Sequence, residues 1–134
     1  MDEVTVNVEA EINPTESEEK VKTAVTNILS DSSITIKQDG KVNILTAKAK
    51  GQESLVKLRN ILRSDRVRDA SRKALFRSTR GNTIRFCLNK QVAFAGHISF
   101  CEETAESPLG PIKVTIETDN PQQLIEWLAE KTER

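Results

Sequence analysis

Apolar and polar residues alternate from the start of the chain. Val4, Val6, Val8, Ala10 and Ile12 fall on one side, and Thr5, Asn7, Glu9 and Glu11 on the other, the pattern of a β-strand with one wet face. Pro14 stops it. Thr15 and Glu18 then have the spacing of a capping box, which predicts a helix whose buried stripe is Val21, Ala24, Val25, Ile28 and Leu29. Ile34 and Ile36, followed by Val42 and Ile44, flank Asp39-Gly40, a dipeptide that tolerates positive φ, so a hairpin is expected there.

After Gly51 the period becomes helical. Leu55, Leu58, Ile61 and Leu62 form one apolar face, and Val67, Ala70 and Ala74 form another that does not line up with it on a straight cylinder. A break is therefore expected near Ser64-Asp65, with Ser64 capping the second helix and Gly81-Asn82 ending it through a left-handed residue. Ile84, Phe86 and Leu88 alternate as a strand, and another strand is expected from about Val92 to Phe100. A loop at Pro108-Leu109-Gly110-Pro111 leads to the strand residues Ile112, Val114 and Ile116. Asp119 or Asn120 then caps a last helix, with Pro121 at its first position and Leu124, Ile125 and Leu128 inside. These elements predict an α/β (α+β) chain folded as a two-layer sandwich, its sheet largely antiparallel or mixed and its helices on one face. At 134 residues it fits one domain, residues 1–134.

Charge changes this picture. The formal net charge is zero, yet eight of nine arginines lie between Lys57 and His97. With Lys57, Lys73 and Lys90 they make eleven cations against Asp65 and Asp69, or +9, while nine cations against eighteen acids leave the remainder at −9. Arg59, Arg63, Arg66, Lys73, Arg77 and Arg80 are spaced 4, 3, 7, 4 and 3 apart, one narrow stripe on a continuous helix, which a sharp break would divide, leaving Arg66, Lys73, Arg77 and Arg80 clustered on the second helix. Like charges at such spacing repel, and the arginine fork suits phosphate, so a nucleic-acid surface is expected. Arg72 and Arg85 extend it, and Lys90, with Gln91, is placed to reach phosphate and base. Arginines paired to the chain's own carboxylates are the competing explanation. Asp69, at helical distance from Arg66, Arg72 and Lys73, is expected to orient a neighbouring arginine.

Catalytic chemistry finds little support. His97 is the single histidine, tyrosine is absent, and no phosphate-binding glycine loop, nucleophile elbow or zinc word occurs. Cys87, Cys101 and His97 lack metal-site spacing, and the two cysteines are expected to be reduced apolar residues. A carboxylate–metal nuclease would have only Asp65 and Asp69 near the basic stripe, and Glu102-Glu103 reads as solubilising charge. The phenylalanines read as core, without the words of an RNA-recognition fold. No catalytic residue, metal or cofactor is expected. With no membrane-length apolar run and no signal-peptide pattern, the expected location is the cytoplasm. Charged residues make up 30% of the chain, consistent with a thermophilic source.

The words Asn60-Ile61-Leu62-Arg63, Asp69-Ala70-Ser71-Arg72, Gly81-Asn82, Leu88-Asn89-Lys90-Gln91, Gly96 and Ser107-Pro108-Leu109-Gly110-Pro111-Ile112 resemble those of a small archaeal family of uncharacterised proteins, also described as predicted exosome subunits. The resemblance covers essentially the whole chain. It implies RNA binding, a fold like that of ribosomal protein L five, which holds five-S RNA, and no established catalytic residue. The expected function is thus non-catalytic RNA binding in archaeal RNA processing or translation, alongside a protein partner of an RNA-processing complex. The alternative is a protein-interaction module or homodimer in which the +9 segment meets the −9 remainder of another copy or an acidic partner.

Overall fold

The structure, a computed structural model, describes residues 3–101 and 110–130. In chain order its elements are β1 (Val4–Ile12), α1 (Glu18–Ile28), β2 (Ser33–Asp39), β3 (Val42–Lys50), a 3-10 turn (Gln52–Leu55), α2 (Val56–Ser64), α3 (Arg68–Arg77), β4 (Thr79–Arg80), β5 (Thr83–Leu88), α4 (Lys90–Phe94), β6 (Phe100–Cys101), β7 (Ile112–Thr118) and α5 (Pro121–Leu128). The sheet runs β2-β3-β1-β7-β5-β4, with β6 on the same outer edge of β5 as β4. Every strand pair is antiparallel.

The alternation seen in the sequence sets the two faces. Val8 is paired with Ala47 on one side and Val114 on the other, and Val114 with Phe86, so one face is apolar from β3 to β5. That face is buried beneath the helices, together with Val21, Val25, Leu58, Leu62, Leu75, Leu124 and Leu128. The opposite face carries Asn7, Glu9, Lys48, Thr115, Lys113 and Arg85. This is the expected two-layer arrangement, and its sheet is wholly antiparallel. No helix among the described residues is long and apolar enough to cross a membrane.

Several boundaries differ from expectation for local reasons. Helix α1 is capped by Ser17, whose hydroxyl accepts from the Lys20 amide, and not by Thr15. The hairpin loop is Gly40-Lys41, with Gly40 at φ +68 in its first position. The break between α2 and α3 spans residues 65–67. Ser64 is the last residue of α2 and caps nothing, and Arg66 turns the chain at φ +57. Helix α3 ends at Arg77, four residues before the expected stop, because the hydroxyls of Ser78 and Thr79 turn back to Ala74 O and Leu75 O. Gly81-Asn82 is instead the loop of the β4–β5 hairpin.

The expected strand from Val92 to Phe100 is replaced by α4, a loop and the short β6. The Asn89 side chain caps α4 by accepting from the Val92 amide, and the Asn27 side chain on α1 donates to the carbonyls of Ala93 and Phe94. That tie from a distant helix satisfies the end of a five-residue helix that periodicity alone does not announce. The Glu102-Glu103 pair and residues 107–109 of the expected loop lie outside the described residues.

Candidate nucleic-acid interface

The arginines predicted as one stripe divide into two groups. The first group is spent inside the fold, because α5 brings the Trp127 carbonyl and the Glu126 carboxylate, and the residues after it bring Glu130, against α2 and α3. Arg59 donates from Nε to Trp127 O at 2.9 Å, lies over the Trp127 ring and is 3.6 Å from Glu130. Arg68 reaches the same carboxylate at 3.7 Å. Arg72 grips Glu126 with both guanidinium arms and lies over the Phe76 ring. Its pKa is raised by the hydrogen bond to Glu126 against the cost of burial, and the charges of Glu126 and Asp69 add to the rise.

Lys90 is a correction of a different kind. Expected to reach phosphate, it is instead 6% exposed, and its ammonium donates to Glu11 O at 2.7 Å and to both oxygens of Glu16. Its ammonium is thus already held by oxygens of its own chain.

The second group, Arg63, Arg66, Lys73, Arg77, Arg80 and Arg85, is exposed, and none of the six has a carboxylate partner among the described residues. They do not form a single row. Arg63 sits on α2, Arg66 in the break, Lys73 and Arg77 on α3, Arg80 on β4 and Arg85 on β5.

Arg77, Arg80 and Arg85 converge on one groove of about 800 Å³ at the outer edge of the sheet. Its origin is topological. Strand β4 covers Thr83 and Ile84 of β5, the Arg85 amide bonds to Ser78 O at 3.2 Å, β6 covers Cys87 and Leu88, and Phe86 lies in the gap between them. The bonded positions on either side, Arg85 and Cys87, are two residues apart, so at about 3.4 Å per residue the gap is about 7 Å long. Arg85 and Lys113 rise from the open sheet face, Arg77 comes from the last turn of α3, and Arg80 bonds back to the carbonyls of Arg77 and Thr79 at the rim. Phe86 and Phe100 line the interior, their rings 5.5 Å apart and tilted by 48°.

Lys113 was missed in the sequence because it lies outside the arginine-rich stretch. Its position between Ile112 and Val114 did mark it as facing the wet side of a strand, but its proximity to Arg85 depends on β7 pairing with β5.

Little in the described structure resembles a reaction centre. Cys87 and Cys101 lie opposite each other across β5 and β6, while His97 bonds Asp65 through Nδ1 at 3.0 Å and does not join them. Among the described residues no three His, Cys, Asp or Glu side chains form a group that could hold a metal ion.

A family model described as RNA binding matches residues 5–118. The chain is 46% identical over 125 residues to the UPF0201 protein of Sulfurisphaera tokodaii, covering 93% of this chain and 86% of that one. It is 40% identical over 129 residues to a UPF0201 protein of Saccharolobus solfataricus, covering 96% and 89%. A crystal structure of the UPF0201 protein from Methanococcus jannaschii superposes with a TM-score of 0.83 at 31% identity, covering 96% of this chain and 95% of that one.

Proposed function

The chain belongs to the UPF0201 family of archaeal proteins, matched by a family model described as RNA binding, and we propose that it is a non-catalytic RNA-binding protein that holds the phosphate backbone at the sheet-edge groove. The observation that carries this is the convergence of Arg77, Arg80, Arg85 and Lys113 on one concavity. Arg63, Arg66 and Lys73 extend the cationic surface over the adjoining helices, where successive phosphates of a longer strand would lie. Guanidinium forks bind phosphate oxygens through paired hydrogen bonds, which fix position without reading sequence. Arg59, Arg72 and Lys90 fall outside this site, being committed to Trp127, Glu126 and Glu16.

The resemblance to predicted exosome subunits and to ribosomal protein L five supports a role in archaeal RNA processing or translation, in the cytoplasm and beside a protein partner. Self-association by charge complementarity is less favoured, because Arg59, Arg68 and Arg72 already meet Glu126 and Glu130 of their own chain.

The test is RNA affinity across a salt series for the wild type and for Arg77→Ala/Arg80→Ala/Arg85→Ala. For a single strand, log affinity should fall with log salt at a slope of about −0.7 per neutralised phosphate. The triple variant should bind more weakly, with a slope shallower by about 2. Equal affinity and slope in a folded variant would reject the groove as the site.

A further inference from the structure

We infer, on the footing of that RNA-binding function, that the groove seats an unpaired nucleotide of single-stranded RNA, its base against Phe100 and its flanking phosphates on Arg77, Arg80, Arg85 and Lys113.

Shape selects the ligand. The gap along the edge of β5, from Arg85 to Cys87, is about 7 Å, room for one base entering edge-on. A duplex is much wider, and its bases are stacked on one another, so it could reach only the rim cations. The groove is unlike an ordinary phosphate cleft, since two aromatic rings line it together with the cations. Phe86 is 7% exposed and belongs to the core, whereas Phe100 is only half-buried, and both line the groove. A partly exposed aromatic ring beside several cations is the arrangement that binds unpaired bases, because every base has a π-face and every nucleotide brings a phosphate. Ser99, beside Phe100, and Asn89 also line the groove. They add polar groups at the level of a base edge and no carboxylate to repel a phosphate.

The register explains why such an opening exists. The outer edge of β5 is covered in two pieces by strands of two residues each. Continuous pairing would have closed the edge over Phe86 as the Ser78 carbonyl closes it over Arg85. Instead the chain leaves as α3 before β4 and returns as β6 after α4.

The test compares an eight-nucleotide RNA carrying 2-aminopurine with the same strand annealed to its complement, at one fixed salt concentration. Wild type, Phe100→Ala and Phe100→Leu are measured; the leucine variant keeps an apolar side chain should the alanine variant fail to fold. The single strand should bind at least ten times more tightly than the duplex. It should lose roughly 5- to 100-fold in affinity in the Phe100 variants, the range for loss of one stacked base. The salt slope should stay unchanged, since no phosphate contact is removed, and the change in 2-aminopurine emission on binding should vanish with the ring.

Equal affinity for single strand and duplex, with dependence on Arg77, Arg80 and Arg85 retained, would overturn the unpaired-nucleotide site and leave RNA binding standing. Absence of any RNA binding would overturn both. Adenosine monophosphate binding as tightly as the eight-nucleotide strand would also overturn the site for RNA strands, making the groove a mononucleotide pocket.

Discussion

The guanidinium of Arg72 and the carboxylate of Glu126 meet arm to arm, Nη1 to Oε1 and Nη2 to Oε2, each at 2.6 Å. The pair joins α3 to the last helix, 54 residues further along the chain, so an arginine counted in the basic segment serves as a tertiary tie. Its partner is nearly half exposed, which keeps the contribution small despite the good geometry. Glu126→Ala should lower stability by about 0.5–1 kcal/mol in chemical denaturation. Arg72→Ala should cost a similar amount while leaving the salt slope of RNA binding where it was. A flattened slope would return Arg72 to the interface.

Lys90 and Glu16 should matter more, since their side chains are 6% and 11% exposed. Lys90→Met would strand the Glu16 carboxylate and the Glu11 carbonyl together, at a cost of about 3 kcal/mol. Burial pushes the Glu16 carboxyl up, but hydrogen bonds from the Asn13 amide, Lys90 and the Asn13 side chain, with the Lys90 charge, outweigh it and leave it below its usual 4.5. The sign follows from that depression. Glu16 contributes stability above its unfolded pKa and loses it as pH falls through the lower folded one. Denaturation midpoints measured from pH 6 to pH 3 should fall more steeply for wild type than for Glu16→Gln once pH drops below about 4.5. Parallel curves would show that Glu16 is not the group responsible.

Asp65 links the break between α2 and α3 to the loop after α4. Its carboxylate accepts from the Ile98 amide at 3.3 Å and contacts His97 Nδ1 at 3.0 Å. Asp65→Ala leaves the amide of the buried Ile98 without its acceptor and should cost about 1–2 kcal/mol. Amide hydrogen exchange at Ile98 should quicken by at least tenfold, and Asp65→Asn, which keeps an acceptor oxygen, should recover part of the loss. Unchanged exchange in the alanine variant would mean that water replaces the carboxylate there without cost.

What could be read from the sequence was whatever short-range pattern determines. Alternation along Val4–Ile12 and Ile112–Thr118, the helix holding Val21, Ala24 and Val25, the Asn120-Pro121 start of α5 and the break after α2 all express the constraint that apolar side chains share one face. What could not be read was decided by partners far away in sequence. Val92 and Ala93 look like strand residues until Asn27 supplies the end of α4 with a donor. Arg59 and Arg72 cannot be told from Arg77 and Arg85 by composition. Only the docking of α5 shows which guanidinium groups are occupied, and only the pairing of β5 with β7 sets Lys113 beside Arg85.

Arg66 separates charge from fold at the break. Its φ of +57 is a left-handed conformation that costs a residue with a Cβ roughly 1–2 kcal/mol, and glycine takes it freely. Arg66→Gly removes that strain but gives the unfolded chain more freedom, so a net gain of about 0.5 kcal/mol is expected in chemical denaturation. The same substitution deletes one exposed cation at the far end of the proposed interface. RNA affinity should then weaken modestly, and the salt slope should flatten by no more than about 0.7, the share of a single phosphate. A loss of stability above 1 kcal/mol would show that the Arg66 side chain holds the break together, and its charge could not then be assigned to RNA from affinity alone.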